Sequence, residues 1–177
     1  MPDYRRNRVP GGTYFFTVNL LNRSSDLLVT HIDVLRTSVR TIRQNSPFHI
    51  DAWVVLPDHM HCIWTLPDGD ADFPGRWHSI KARFSLSVPA TEPRSPVRTR
   101  RSERAIWQRR YWEHTIRDEA DYAAHMDYTH FNPVKHGLAR SPADWPFSSF
   151  RRCVLRGLYP PDWLGGGTEP SAAGERR

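Results

Sequence analysis

The chain has 177 residues, of which 38% are hydrophobic and 25% charged, and its mean hydropathy is −0.64. It contains no apolar run near the roughly 18 residues of a membrane span and no apolar stretch after its charged start, so neither a membrane span nor a secretory signal is expected. Its two cysteines, Cys62 and Cys153, lie far apart in the sequence, which argues against a disulfide framework and favours a reducing cytoplasm. We predict one domain over residues 1–164 and a flexible tail over 165–177.

Positive charge is concentrated in one segment of the chain. Lys and Arg number 25 against 19 Asp and Glu, which gives a net charge of +6. Residues 94–110 contain seven arginines and one glutamate, which accounts for the whole net excess. A smaller basic cluster of Arg5, Arg6 and Arg8 lies near the N-terminus. Such patches suggest a polyanionic partner, although a basic loop is often only solvated.

The first part of the chain predicts a strand, a helix and a hairpin. A β-branched and aromatic run predicts a strand over residues 13–20. Apolar residues at three- and four-residue spacing predict an amphipathic helix over 31–44, which Pro47 ends. Two further apolar runs, 49–56 and 59–66, are joined by a very short link and therefore predict an antiparallel hairpin.

The second part alternates helices with less regular segments. A helix is predicted over 73–88, followed by an aperiodic, mobile, Arg-rich loop over 89–105. Residues 106–116 alternate aromatic and basic side chains, which indicates a fourth strand or an extended segment. A helix is predicted over 118–131, with an aspartate as its N-cap, and Pro133 is expected to break it.

The order of elements points to one architecture. A short helix within residues 141–153 completes the series, which reads strand, helix, strand, strand, helix, strand, helix. This order matches the split βαβ plan, so we predict an α+β, ferredoxin-like antiparallel sheet with helices on one face. The other face would then be open to carry a site.

The triplet His59-Met60-His61 is the strongest local indication of chemistry. Residues two apart in a strand point to the same side, so the two imidazoles should lie side by side. Two neighbouring imidazoles supply half of a divalent metal site, whereas a pair of surface histidines is the alternative. Asp58, which precedes the triplet, is expected to orient one imidazole.

A later segment offers a phenol and an amide together, because Tyr128 and Asn132 are four residues apart and share a helix face. A metal ion bound by the two imidazoles, with an oxygen atom as its third ligand, would polarise a phosphodiester. Tyr128 would then attack phosphorus in line and form a covalent phosphotyrosine. Tyr122 and Tyr111 are rival nucleophiles, and a packed structural tyrosine is the alternative for each.

These features resemble the HUH motif of single-tyrosine transposases, in which U is an apolar residue. The similarity to the REP-associated tyrosine transposases is closer and extends over roughly residues 4–163. It is carried by the segments YRR (4–6), GGTYFFTVNL (11–20), AWVVLPDHMHCIWTLP (52–67), RYWEHTIRD (110–118), DYTHFNPVKHGL (127–138) and WPFSSF (145–150).

The resemblance implies an HUH endonuclease-type domain that acts on single-stranded DNA at palindromic, hairpin-forming repeats. It implies His59 and His61 as ligands of Mg²⁺ or Mn²⁺, with Asn132 as the third ligand. It implies Tyr128 as the nucleophile that forms a 5′-phosphotyrosine. The expected location is the cytoplasm, associated with the nucleoid and not with a membrane. The expected state is a monomer, with a dimer as the alternative.

Several residues are predicted to contact the DNA. The N-terminal arm would read bases at the foot of the hairpin, and basic side chains would bind phosphates. Tryptophans near basic residues, namely Trp77, Trp107 and Trp112, are candidates for stacking on unpaired bases. The predicted DNA-binding set is Tyr4, Arg5, Arg6, Arg8, Trp77, Lys81, Arg109, Arg110 and Lys135.

Two other functions stay open at this level. One is a hairpin-binding protein that keeps the fold but has little or no turnover. The other is a metal-sensing or RNA-binding ferredoxin-like domain. An RNA-binding domain of that type would present stacking aromatics on its two central strands, and the HMH triplet occupies one of those strands instead.

Overall fold

The computed structural model describes residues 7–101 and 103–166, so Tyr4, Arg5, Arg6 and most of the predicted tail lie outside the described residues. One antiparallel sheet forms the centre, with the strand order β2-β3-β1-β4. The strands are β1 Thr13–Asn19, β2 His49–Val55, β3 His59–Thr65 and β4 Trp112–Thr115. The predicted α+β antiparallel architecture, including the β2–β3 hairpin, is confirmed.

Helices cover both faces of this sheet. They are α1 Leu27–Thr30, α2 Ile32–Asn45, α3 Phe73–Ser87, α4 Pro96–Arg100, α5 Glu119–Lys135 and α6 Phe150–Leu155. Helices α2 and α3 lie on one face, whereas α5 crosses β2 and β3 on the other. The structure thus differs from the prediction of helices on one face, because α5 buries Met126 and Tyr128 against Phe15 and Ile63. No helix in the described part of the chain combines the length and apolar character needed to cross a membrane.

The larger apolar core lies between the sheet and the α2–α3 layer. Strand alternation directs Phe16, Met60 and Trp64 into this layer. The ring of Trp77 stacks on Trp64, with 4.2 Å between centroids, and is only 1% exposed. The prediction that Trp77 contacts DNA is therefore wrong, because the apolar side of α3 carries it into the core. Trp107, which lies beyond α3, is also buried: its ring contacts Phe84 and its indole N–H donates to Ser85 Oγ.

Helix α5 continues through Pro133 to Lys135, so the predicted break at this proline is also wrong. Proline removes one backbone donor, but here it lies in the last turn, where only one intrahelical bond is lost. The end of the helix is closed by His136 N–H, which donates to the Asn132 carbonyl at 3.0 Å. Gly137 follows with φ of +68°, a left-handed conformation typical of helix ends. The extra turn keeps Asn132 on the helix.

The Arg-rich segment 89–105 contains more structure than its composition indicates. Ser95 caps α4, with its side chain accepting from Arg98 N–H. Arg104 binds Glu92 and donates to the carbonyls of Val88 and Pro89, which fastens the segment to the end of α3. The partners of Arg104 lie 12 to 16 residues away in the sequence, so periodicity could not reveal these contacts.

Burial of Trp77 predicts a large effect on stability. Trp77→Ala should lower the free energy of unfolding by about 3–5 kcal/mol, because it leaves a cavity beside Trp64 and Phe16. Trp112→Ala, at a site 37% exposed, should cost about 1 kcal/mol or less. Urea unfolding followed by circular dichroism measures both. Equal losses for the two variants would contradict the assignment of Trp77 to the core.

Candidate active site

The two histidines of the HMH triplet lie side by side in the middle of the sheet. Their strand, β3, pairs with β1 and β2, so it is covered on both edges and faces. Alternation sends His59 and His61 to the face under α5, while Met60 enters the opposite core. The two imidazole centroids are 5.0 Å apart, and the residues are 2% and 0% exposed.

Each imidazole is oriented through its Nδ1 atom. His59 Nδ1 lies 2.8 Å from Asp58 Oδ1, and Arg23 forms an ion pair with the other oxygen of this carboxylate at 2.9 Å. Burial alone would raise the pKa of Asp58, but the His59 hydrogen bond and the nearby charges lower it. His61 Nδ1 lies 2.8 Å from Thr17 Oγ1 on β1. Because Nδ1 is engaged in both rings, Nε2 is the nitrogen that would bind a metal.

Helix α5 places Tyr128 directly beside this pair. Its ring meets His61 edge-on at 5.3 Å between centroids, and Phe15 at 5.9 Å. Lys135, seven residues later on the same helix, donates from Nζ to the Tyr128 hydroxyl at 3.4 Å and lies 4.6 Å from the ring centroid. A phenol and an ammonium group are therefore held together next to the histidines.

Asn132 lies one turn beyond Tyr128 and is fully buried. Its Nδ2 donates to the Tyr128 carbonyl at 3.4 Å, whereas its Oδ1 has no hydrogen-bond partner. A buried carbonyl oxygen without a partner costs about 1–3 kcal/mol, so such atoms call for a physical explanation. A bound cation is one such explanation, and the predicted role of Asn132 as a ligand fits it.

No protein-family model matches the chain. A REP-associated tyrosine transposase of Escherichia coli is 51% identical over 176 residues, which cover 99% of this chain and 98% of the relative. A Haemophilus influenzae protein with the same family name is 41% identical over 167 residues, which cover 93% and 94%. The chain belongs to the REP-associated tyrosine transposases.

A solved structure supports the same assignment. It is described as the REP-associated tyrosine transposase bound to a REP hairpin, and it matches with a TM-score of 0.85 at 51% identity. The match covers 100% of this chain and 99% of the other. The predictions of the family, and of an enzyme of the HUH tyrosine transposase type, are confirmed.

The rival tyrosines of this transposase have structural partners. Tyr122 donates to Asp51 Oδ1 at 3.1 Å, and burial together with this carboxylate raises the pKa of its phenol well above the usual value. Tyr111 packs against Phe16 and Trp77 on the opposite face of the sheet. Neither phenol lies in contact with the HMH imidazoles in the described contacts, which favours Tyr128.

A second polar cluster lies on the same face, beyond Phe15. His114, Asp121 and His125 present potential ligand atoms within 4.8 Å of one another. The Asp121 carboxylate is already bound by His114 Nε2 at 2.8 Å and by Arg117 Nε at 3.1 Å. Burial would raise the pKa of Asp121, but these hydrogen bonds lower it strongly. Because a guanidinium occupies the cluster, we interpret it as a clamp between β4 and α5.

The residues predicted to bind DNA do not lie together on one surface. Arg8, Arg109 and Arg110 are exposed, and Arg109 pairs with Glu103 at 3.0 Å. Lys81 donates to the Gln108 carbonyl at 2.7 Å and lines a cavity of about 610 Å³ beside α3, together with Arg109. This cavity is on the α3 side of the sheet, away from the HMH triplet. Lys135, another of the predicted DNA contacts, lies beside the Tyr128 phenol.

Two further residues lie near the site, although the sequence did not single them out as part of it. Trp112 pairs with Thr17 across β1 and β4, so it lies on the face of the HMH pair. His136 contacts His59, with 5.1 Å between ring centroids. The sequence indicated Trp112 only as one of three stacking candidates, and the position of His136 depends on the extension of α5 through Pro133.

His130, two residues after Tyr128, has a structural role that predicts a pH dependence. Burial, with a smaller effect of Arg152, lowers the pKa of His130 to about 3 from its usual 6.5. The unfolded chain therefore binds a proton more readily, and stability present above pH 6.5 is lost as the pH falls toward 3.

The expected slope contributed by His130 approaches about 1.4 kcal/mol per pH unit between pH 6 and 4. His130→Gln should flatten this part of the stability curve, because glutamine does not titrate. Urea unfolding at a series of pH values measures the difference. Parallel curves for the two proteins would show that His130 is not buried in its neutral form.

Proposed function

We propose that this transposase cleaves and rejoins single-stranded DNA beside a hairpin, using a divalent ion, Mg²⁺ or Mn²⁺, and a 5′-phosphotyrosine on Tyr128. The observation that carries the proposal is the contact of the Tyr128 ring with the paired imidazoles, on a helix whose next turn carries the buried amide oxygen of Asn132 without a hydrogen bond. The relative solved with a REP hairpin supports hairpin DNA as the partner.

The donor atoms suit a divalent ion. His59 and His61 would bind it through Nε2, and Asn132 through Oδ1. Imidazole and carbonyl donors together are compatible with Mn²⁺, and carbonyl oxygen also suits Mg²⁺. An ion would give the Asn132 oxygen the partner that the protein does not provide. When bound, the ion supplies Lewis-acid polarisation of the scissile phosphodiester.

The protein's own groups then account for the transfer. The Tyr128 oxygen attacks phosphorus, the bond from phosphorus to the 3′-oxygen breaks, and the 3′-oxygen leaves with a proton from water. The phosphate at the 5′ end of the other fragment remains on Tyr128. The phenol gives its proton to water, and Lys135, 3.4 Å from the phenol oxygen, stabilises the negative charge that develops there. Attack by a free 3′-hydroxyl reverses the step and rejoins the strand.

The edge of the sheet at β4 is the best candidate for the path of unpaired DNA. Asn7 donates to Thr115 on β4 at 3.1 Å, which places the N-terminal end of the described chain beside this strand. Arg110 is exposed just before β4, and Trp112 is the only one of the seven tryptophans that is exposed. Trp112 is also the cross-strand neighbour of Thr17, which contacts His61. An unpaired base stacked on Trp112 would therefore lie next to the metal site.

The other sheet edge favours a monomer. Residues 147–149 lie along β2, where Val55 N–H donates to the Phe147 carbonyl at 2.8 Å and Ser149 N–H to the Trp53 carbonyl at 2.8 Å. These bonds occupy the backbone groups through which a second copy would extend the sheet. A dimer formed through this edge would have to displace the segment.

Loss of the Tyr128 hydroxyl should abolish the covalent product. We expect a hairpin oligonucleotide labelled at its 3′ end to remain attached to the protein on a denaturing gel when Mg²⁺ or Mn²⁺ is present. Tyr128→Phe should form no adduct, because the ring keeps its packing on His61 but has no nucleophile. Tyr122→Phe is the matched control and should form it.

Three outcomes would each decide against part or all of this proposal. An adduct that persists in Tyr128→Phe would assign the nucleophile elsewhere. Hairpin binding without an adduct across Mg²⁺, Mn²⁺ and both strands would favour a binding protein with little or no turnover. An adduct that survives EDTA would remove the role of the ion.

Substitution of Trp112 tests the path of the DNA. Trp112→Leu should weaken binding of a hairpin with an unpaired flank about tenfold, because stacking is worth ~1–3 kcal/mol per base. Trp112→Phe should retain most of the affinity, since it keeps an aromatic face. Fluorescence anisotropy measures both, with a hairpin that lacks the flank as the control ligand. Equal affinities of the Leu and Phe variants would place the unpaired base elsewhere.

A further inference from the structure

His136 is the residue at the C-cap of α5, and its ring lies at the open side of the histidine pair. It is exposed, whereas His59 is buried beneath it. The two rings meet edge-to-face, with 5.1 Å between centroids and 73° between planes. His136 therefore stands at the rim of the proposed metal site.

The helix end fixes this position. Tyr128, Asn132 and His136 follow one another at intervals of four residues, so they lie along one side of α5. The His136 N–H donates to the Asn132 carbonyl, and Gly137 turns the chain away in a left-handed conformation. Without the extension of α5 through Pro133, this histidine would not face β3.

The spacing of the rings is that of ligands to a common ion. Two imidazoles that bind one ion at about 2.1 Å place their centroids roughly 5 Å apart. His59 and His61 are separated by 5.0 Å, and His59 and His136 by 5.1 Å. His136 thus stands in the same relation to His59 as the second histidine of the HMH triplet does.

We propose that His136 is a fourth protein ligand of the divalent ion, in addition to His59, His61 and Asn132. This inference rests on the metal-dependent function proposed above and adds a residue outside the HMH triplet. A third imidazole changes the chemistry of the site, because nitrogen donors favour Mn²⁺, Co²⁺, Ni²⁺ and Zn²⁺ over Mg²⁺. The site should accordingly bind transition-metal ions more tightly than magnesium.

Metal binding without DNA provides the test. Calorimetric titration of the full-length protein with Mn²⁺ alone should show that His136→Ala weakens binding at least about tenfold. His78→Ala is the matched control, because His78 is an exposed histidine on α3, and it should leave the affinity unchanged. His136→Gln should recover part of the affinity, since its amide oxygen can bind the ion.

A spectroscopic measurement counts the ligands directly. Pulsed electron paramagnetic resonance of bound Mn²⁺, with ¹⁵N-labelled histidine, should detect three coordinated imidazoles in the unmodified protein and two in His136→Ala. Circular dichroism melting checks that the variant is folded. Two imidazoles in both proteins would overturn the inference.

The outcomes separate this inference from the proposed function. If His59→Ala abolishes Mn²⁺ binding while His136→Ala leaves it unchanged, His136 is not a ligand and the proposed function stands. Loss of the DNA adduct in His136→Ala with unchanged Mn²⁺ affinity would likewise overturn the inference and assign His136 to the DNA phosphate. If the unmodified protein binds no Mn²⁺, both proposals fail.

Discussion

The pairing register of β1 with β3 is the constraint on which the site depends. In this register Thr17 lies opposite His61, and Asn19 opposite His59. A shift by one residue would move both imidazoles into the apolar core and expose Met60, because side chains alternate between faces. The Trp64–Trp77 stack and its neighbours hold the register from the opposite face. The apolar layer under α2 and α3 thus positions polar groups that it never contacts.

Helix α5 supplies the further side chains that make the histidine pair a candidate active site. Phe15, at the centre of the second face, contacts His61, His125 and Tyr128, so it divides the polar residues into two groups. On one side the clamp around Asp121 joins α5 to β4. On the other side the C-terminal turns bring the Tyr128 phenol against His61, with the Asn132 amide one turn further along the helix. The Phe15 ring thus separates the Asp121 cluster, which stabilises the fold, from the group around Tyr128, in which the Asn132 oxygen has no hydrogen bond.

The sequence predicted most elements, because strong periodicity and short links leave few alternatives. The strand predicted over 13–20 and the hairpin around Asp58 agree with the structure within about one residue. The face covered by α5 could not be predicted, since it depends on how Tyr128 and Met126 pack against a distant strand. The prediction that Trp77 contacts DNA rests on the basic residues near it in the sequence, whereas the apolar side of α3 carries the ring into the core. The positions of Trp112 and His136 depend on strand register and on helix length, and neither is encoded locally.

The buried oxygen of Asn132 connects the stability of the protein with its chemistry. An apolar residue of similar size would avoid the cost of an unpaired carbonyl, so the amide is not explained by packing alone. Its Nδ2 returns to the Tyr128 carbonyl, which holds Oδ1 in one orientation before any ligand arrives. On the proposed function, a cation bound by His59 and His61 would supply the partner that this oxygen lacks and would recover the free energy lost by leaving it unpaired. On the proposed function, a site built in this way would bind an ion without first rearranging its ligands, and the proposed nucleophile Tyr128 would be attached to the preceding turn of the same helix.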